Sequence, residues 1–129
     1  RIEEFVAKKR QIFSWYYNRL KDIDGISFNF ERANTRSNKW MTSIILNKKF
    51  KVTRDELIKK LKEEKIDSRP FFYPISMFPM YKVGAGFSRP NTPVAHHAGL
   101  NGINLPSGLN LTEKEVDYVA RKVKKILND

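Results

Sequence analysis

The sequence predicts an α+β domain in which a small sheet is covered by helices, mainly on one face. Apolar residues recur at helical spacing in long segments near both ends of the chain, and two helices open on Thr-x-x-Glu capping boxes. Short β-rich runs lie between them, giving the order α, β, β, α, β, short α, β, α. With 129 residues, 40% of them hydrophobic and including nine Phe, five Tyr and two Trp, the chain can support one packed core.

From Ile2 to Leu20 the apolar residues Ile2, Phe5, Val6, Ile12, Phe13, Tyr16 and Leu20 form a helical stripe, with Lys8, Lys9, Arg10 and Arg19 between them. Trp15, Tyr16 and Tyr17 carry the aromatic surface around the helix beyond one stripe, so part of it is expected to face outward, toward a partner. Asp24-Gly25 stops the helix, and Ile26, Phe28 and Phe30 alternate with Ser27 and Asn29 as in a half-buried strand. Residues 31–39 read as a loop, and Trp40 to Leu46 as a strand; Trp40 could stack a base or sugar, but a tryptophan at a strand start is more often core. Thr53 with Glu56 begins a helix whose buried stripe is Leu57, Ile58 and Leu61.

The stretch Ile66 to Pro74 is rich in aromatic residues but holds two prolines, which favours an edge strand or extended loop over a central strand. Pro79, Gly84, Gly86 and Pro90 make residues 75–90 a surface loop. Thr92 as a cap and Pro93 at the first helical position begin a short helix through His96 and His97. Ile103 to Leu105 gives a brief strand. Thr112 with Glu115 then caps the last helix, whose stripe is Val116, Val119, Val123, Ile126 and Leu127.

Composition excludes several chemistries. The chain has no cysteine, which removes disulfides, thiolate metal sites and thiol nucleophiles and fits a reducing cytosol. No run of roughly 18 apolar residues marks a membrane span, and nothing resembles a signal peptide. The formal charge of +11 invites an anionic partner, yet Lys59, Lys60, Lys62 and Lys65, and Arg121, Lys122, Lys124 and Lys125, fall on the outer faces of helices, where they read as solvated charge. Arg1 opens directly into a helical pattern, as expected of a piece of something longer.

Three blocks together resemble the small C-terminal domain of the DegT/DnrJ/EryC1/StrS aminotransferases. The first is Arg1-Ile2-Glu3-Glu4-Phe5 with Lys8-Lys9-Arg10. The second is Trp40 to Leu46 followed by Arg54-Asp55-Glu56-Leu57, Leu61 and Ile66. The third and most specific is Ser68-Arg69-Pro70-Phe71-Phe72-Tyr73-Pro74, with Pro79-Met80-Tyr81, Pro93, Ala95 and Leu105-Pro106 after it. The resemblance implies a small, mainly antiparallel sheet covered by helices, as in fold type I transferases dependent on pyridoxal 5'-phosphate. It also implies a homodimeric, cytoplasmic enzyme that moves an amino group, usually from glutamate, to a keto sugar linked to a nucleotide. In that family the cofactor lysine and phosphate-binding groups belong to a large domain. Residues 1–129 are thus expected to be the small domain alone, inactive by itself, with no cofactor of its own. Its lysines sit in charge runs, whereas a cofactor-bearing lysine needs a desolvated pocket.

By the same resemblance Tyr73 and Phe72 would lie against the sugar nucleotide, Phe72 by packing only; the plainer reading is that Phe71 and Tyr73 share the core face of a strand. Arg69 offers a planar guanidinium to a diphosphate or carboxylate, or else a structural ion pair with Asp67 or a helix terminus. Tyr81 is a candidate for the site rim. Adjacent His96 and His97 would point about 100° apart on a helix and cannot share a metal. Gly84-Ala85-Gly86 lacks the remainder of a phosphate-binding loop, and the glycosylation triplet Asn110-Leu111-Thr112 has meaning only in a secreted chain. Two rivals stay open: a small basic nucleic-acid-binding module that stacks bases on Phe71, Phe72 and Tyr73, and a protein-interaction domain without a ligand.

Overall fold

The computed structural model describes residues 1–81 and 92–129. Four helices, α1 (Ile2–Leu20), α2 (Arg54–Glu63), α3 (Pro93–Asn101) and α4 (Glu113–Asn128), surround a sheet of β1 (Ile26–Phe28), β2 (Thr42–Leu46), β3 (Arg69–Pro70) and β4 (Gly102–Leu105). The strand order is β1-β2-β4-β3 and every pairing is antiparallel. The element order and fold class are those the sequence predicts.

Residues directly opposite in an antiparallel pair share a face, so the pairing of Thr42 with Leu105 and of Ile44 with Ile103 builds one apolar face. Against it pack Ile12, Tyr16 and Leu20 of α1, Leu57 and Leu61 of α2, and Val116, Val119 and Val123 of α4, all buried. The Tyr16 hydroxyl finds a partner in the Pro106 carbonyl at 3.0 Å, and burial pushes its ionisation far above the usual tyrosine range. Both capping boxes form: Thr53 accepts from the Glu56 amide and Thr112 from that of Glu115, and each glutamate reaches back to its threonine. Such a cap contributes about 1 kcal/mol.

On the opposite face Ser43 stands across from Asn104 and Ile45 across from Gly102. A row of side-chain hydrogen bonds crosses the sheet there. The Asn29 side-chain Oδ1 accepts from the Ser43 backbone amide at 3.2 Å, the Ser43 hydroxyl donates to Asn104 Oδ1 at 2.7 Å, and the Asn104 side-chain amide donates to the Pro70 carbonyl at 3.3 Å. Ser43 and Asn104 are buried, and burial without partners would be costly, so this row fixes strand register on a face with little apolar content.

The helix α2 ends in a Schellman arrangement that the sequence does not announce. The Ile66 amide donates to the Leu61 carbonyl at 2.9 Å and the Lys65 amide to that of Lys62 at 3.0 Å. Lys65 adopts φ +61°, where glycine is usual. Several expectations are shortened or corrected. Phe30 lies beyond β1, and Trp40 precedes β2 and is 56% exposed, so it is not core. Ile75–Met77 and Pro79–Tyr81 form 3-10 turns, while Gly84-Ala85-Gly86 and the remainder of the expected loop fall outside the described residues. Along α1, Ile2, Phe5 and Tyr17 remain exposed.

Candidate functional site

Residues 71–74 run out of β3 across the end of α3. The Phe71 amide bonds the Gly102 carbonyl at 2.9 Å. This close approach depends on two glycines: a Cβ on Gly99 would meet Pro74 Cδ at 2.6 Å, and one on Gly102 would meet Phe71 Cβ at 2.6 Å and the Ala98 carbonyl at 2.5 Å. A backbone crossing so near to another excludes even a methyl group. Phe71 is half-buried in this seat, and the side chains of Phe72 and Tyr73 are left 59% and 48% exposed. Phe71 and Tyr73 therefore do not form a shared core face.

The Phe72 ring lies 6.1 Å from that of Trp40 with 13° between the planes, and Phe71 meets Phe72 edge-on at 5.9 Å. Lys39, just before Trp40, has φ +50°, a left-handed turn of the chain at the approach to the stack. Two large aromatic side chains, more than half exposed and parallel, form a platform that packing among the described residues does not cover.

Tyr73, the next residue after Phe72, meets Arg54, the first residue of α2. Arg54 is buried, and its guanidinium donates to the Gly99 carbonyl at 2.6 Å, to Asp55 at 2.8 Å and to the Tyr73 hydroxyl at 3.4 Å, with its carbon 5.7 Å from the Tyr73 ring centroid. Burial alone would lower its ionisation; the hydrogen bonds to Asp55 and Tyr73 outweigh that and hold it above the usual range. Sequence reasoning placed Arg54 only in a helix-start motif. The available signal was an arginine directly after an N-cap, where a cation opposes the helix dipole and needs another reason to be there.

The other candidates lie around this cluster without joining it. Arg69 is exposed and 3.4 Å from Asp67, the ion pair that was its plainer reading. Tyr81 is exposed at the end of the second 3-10 turn. His96 bonds Ser76 at 2.9 Å and His97 contacts Asn101; among the described residues no group of His, Asp or Glu could hold a metal. Thr92 precedes α3 but makes no side-chain cap bond.

A groove of about 670 Å³ lies elsewhere, between α1 and the β1 edge, lined by Phe13, Tyr17, Phe28 and Phe30 among others. Of its three cations, Arg10 and Lys39 pair with Glu31, at 3.2 and 3.5 Å. With the Ser37 amide as the larger cause and Arg10 next, they hold Glu31 below the usual carboxylate range. Lys21, the third cation of the lining, makes no ion pair among the described residues.

The described residues do not fit pyridoxal phosphate. Lys39 is buried rather than solvated, but its ammonium donates to the Asn29 carbonyl at 3.0 Å and lies 4.2 Å from the Phe13 ring centroid. Lys9, whose ionisation burial pushes down, is bonded to the Ser107 carbonyl. Lys39 lines the groove beside Glu31 with its ammonium already engaged, and no step through the cofactor can be built on the described residues.

Comparison with known proteins gives this geometry its context. GDP-perosamine synthase of Vibrio cholerae is 34% identical over 128 residues, which cover 99% of this chain and 34% of that protein. The dTDP-4-amino-4,6-dideoxy-D-glucose transaminase of Escherichia coli is 34% identical over 121 residues, 93% of this chain and 33% of that protein. Among solved structures, DesV of S. venezuelae superposes with a TM-score of 0.83 at 19% identity, covering 98% of this chain and 33% of that one. The aminotransferase TlmJ from Streptoalloteichus hindustanus gives 0.81 at 21% identity, covering 99% and 33%. The chain thus spans about a third of the length of the relatives it matches. The model of the DegT/DnrJ/EryC1/StrS aminotransferase family matches residues 1–124, and the chain belongs to that family.

Proposed function

We propose that residues 1–129 form the small C-terminal domain of a cytoplasmic, homodimeric aminotransferase dependent on pyridoxal phosphate. The substrate is a nucleotide-linked keto sugar and the amino donor is glutamate. The observation that carries this reading is the exposed platform of Trp40 and Phe72 beside Tyr73, held in place by the buried Arg54 and by glycines that admit the crossing chain. A rigid, partly apolar surface with a few polar groups is what one wall of a ligand site requires. The other wall, the cofactor and the reacting amine belong to a large domain, and the chain by itself catalyses nothing. Phe72 and Tyr73 contact the sugar nucleotide, while Arg69 and Tyr81 lie at the rim.

A chimera tests this. The C-terminal third of the Vibrio cholerae GDP-perosamine synthase is replaced by this chain, and amino-sugar formation from glutamate is followed with GDP-linked and dTDP-linked keto sugars. Turnover with at least one of them is the expected result. A folded chimera that binds pyridoxal phosphate and aminates neither would overturn the reading. So would a lysine adduct band when the isolated chain is mixed with pyridoxal phosphate.

A further inference from the structure

We propose that Arg54 is a positioning residue that fixes Tyr73 as a hydrogen-bond donor, aimed at an acceptor oxygen of a diphosphate-bearing ligand. Its ligand half rests on the function proposed above; the clamp does not.

A guanidinium has five N–H donors and no acceptor. The hydrogen bond between Arg54 and Tyr73 therefore runs in one direction only, from arginine to the phenolic oxygen. Tyr73 must send its own proton elsewhere. Among the described residues no acceptor takes it, and about half of Tyr73 faces solvent. A neighbouring cation that donates to a hydroxyl also polarises it, which makes the outward O–H a better donor.

The arginine is held from two further sides. Gly99 lies in the last turn of α3, and its carbonyl is one of those a helix end leaves without an intrahelical partner. A cation there is favoured by the helix dipole as well as by the hydrogen bond of 2.6 Å. Asp55 supplies the counter-charge at 2.8 Å. With these two bonds and its burial, Arg54 joins the start of α2, the end of α3 and the aromatic segment, so the direction of the Tyr73 hydroxyl is set by three elements at once. An outward donor fits an anionic oxygen, the strongest acceptor a ligand can bring, and Phe72, the preceding residue, stacks on Trp40 and leaves an exposed aromatic face that fits a planar base. A nucleoside diphosphate carries both.

The test uses the 129-residue chain, with GDP and guanosine as probes and the aromatic ring signals followed by NMR. Native protein is expected to show GDP-dependent shifts at Tyr73 and Phe72. Tyr73→Phe and Arg54→Met should each weaken GDP roughly tenfold, the loss of one charge-assisted hydrogen bond. The double variant should be no weaker than either single one. Arg54→Lys keeps a donor and should recover most of the affinity, which also covers the case in which Arg54→Met does not fold. Guanosine binding should be unchanged in Tyr73→Phe. A folded Arg54→Met chain that binds GDP like the native one would overturn the positioning role. Equal loss of guanosine and GDP in Tyr73→Phe would show stacking in place of donation. Native chain with no GDP-dependent shift at millimolar concentration would sink the assignment even if the chimera turns over, so the two proposals fail separately.

Discussion

The two faces of the sheet are built on different principles. The face under α1, α2 and α4 is apolar and closed, with Ile44, Ile103, Tyr16, Leu57 and Val123 all inaccessible to solvent. The other face is tied by a polar row through Asn29, Ser43 and Asn104, and near the β3 edge the chain presents exposed aromatic side chains held by a buried arginine. The closed face is where the chain obtains its stability. On the aromatic side, order is maintained in side chains whose exposure contributes little to folding, which is the pattern of a surface kept for binding.

Substitutions on the two sides should separate these roles. Leu57→Ala empties a fully buried position and should cost about 2–5 kcal/mol in a urea titration; a loss below about 1 kcal/mol would mean that the closed face is loosely packed. Gly102→Ala drives a methyl against Phe71 and the Ala98 carbonyl and should cost about 1–3 kcal/mol, with the fluorescence of Trp40 altered as the aromatic segment shifts. Trp40→Ala should lower stability by only about 1 kcal/mol, the worth of an exposed stack, while removing a platform that the chimera needs for turnover. Equal damage to stability and turnover would erase the distinction between the faces.

Lys65→Gly relieves a left-handed residue and should raise stability by about 0.5–1 kcal/mol, since the strain removed exceeds the flexibility added to the unfolded chain. The smallest effect is electrostatic and belongs to the helical side. The carboxyls of Glu56 and Glu115 are lowered by the backbone amides of Thr53 and Thr112, that of Asp117 by Arg19 and that of Glu64 by Lys122. A lowered folded value means that the ionised form is favoured by folding. This contribution is complete above the unfolded value near about pH 4 and is lost as pH falls through the folded values. The urea midpoint should accordingly drop between about pH 4 and pH 2, with little change from pH 5 to pH 8.

The helices were legible because their signals are local. The capping boxes at Thr53 and Thr112 need only residues three apart, and the stripes of α1 and α4 need only a period. The aromatic segment was legible as a motif, through Arg69-Pro70-Phe71-Phe72-Tyr73, but not as a surface. Trp40 was expected in the core because a tryptophan beside a strand usually is; its ring instead meets Phe72, a residue 32 positions away, and no local rule anticipates that pairing. Arg54 was passed over for the same reason. Its three partners come from its immediate neighbour, from α3 and from the segment after β3, and only the neighbour is visible along the chain.

Periodicity, caps and breakers in the sequence alone determined the number, kind and order of the elements, because each depends on interactions within a few residues. Tertiary structure decided which polar groups would be satisfied and which aromatic rings would stay outside. A hydrogen bond from Arg54 to Tyr73, or from Ser43 to Asn104, exists only once strands and helices distant in sequence are brought within about 3 Å of one another.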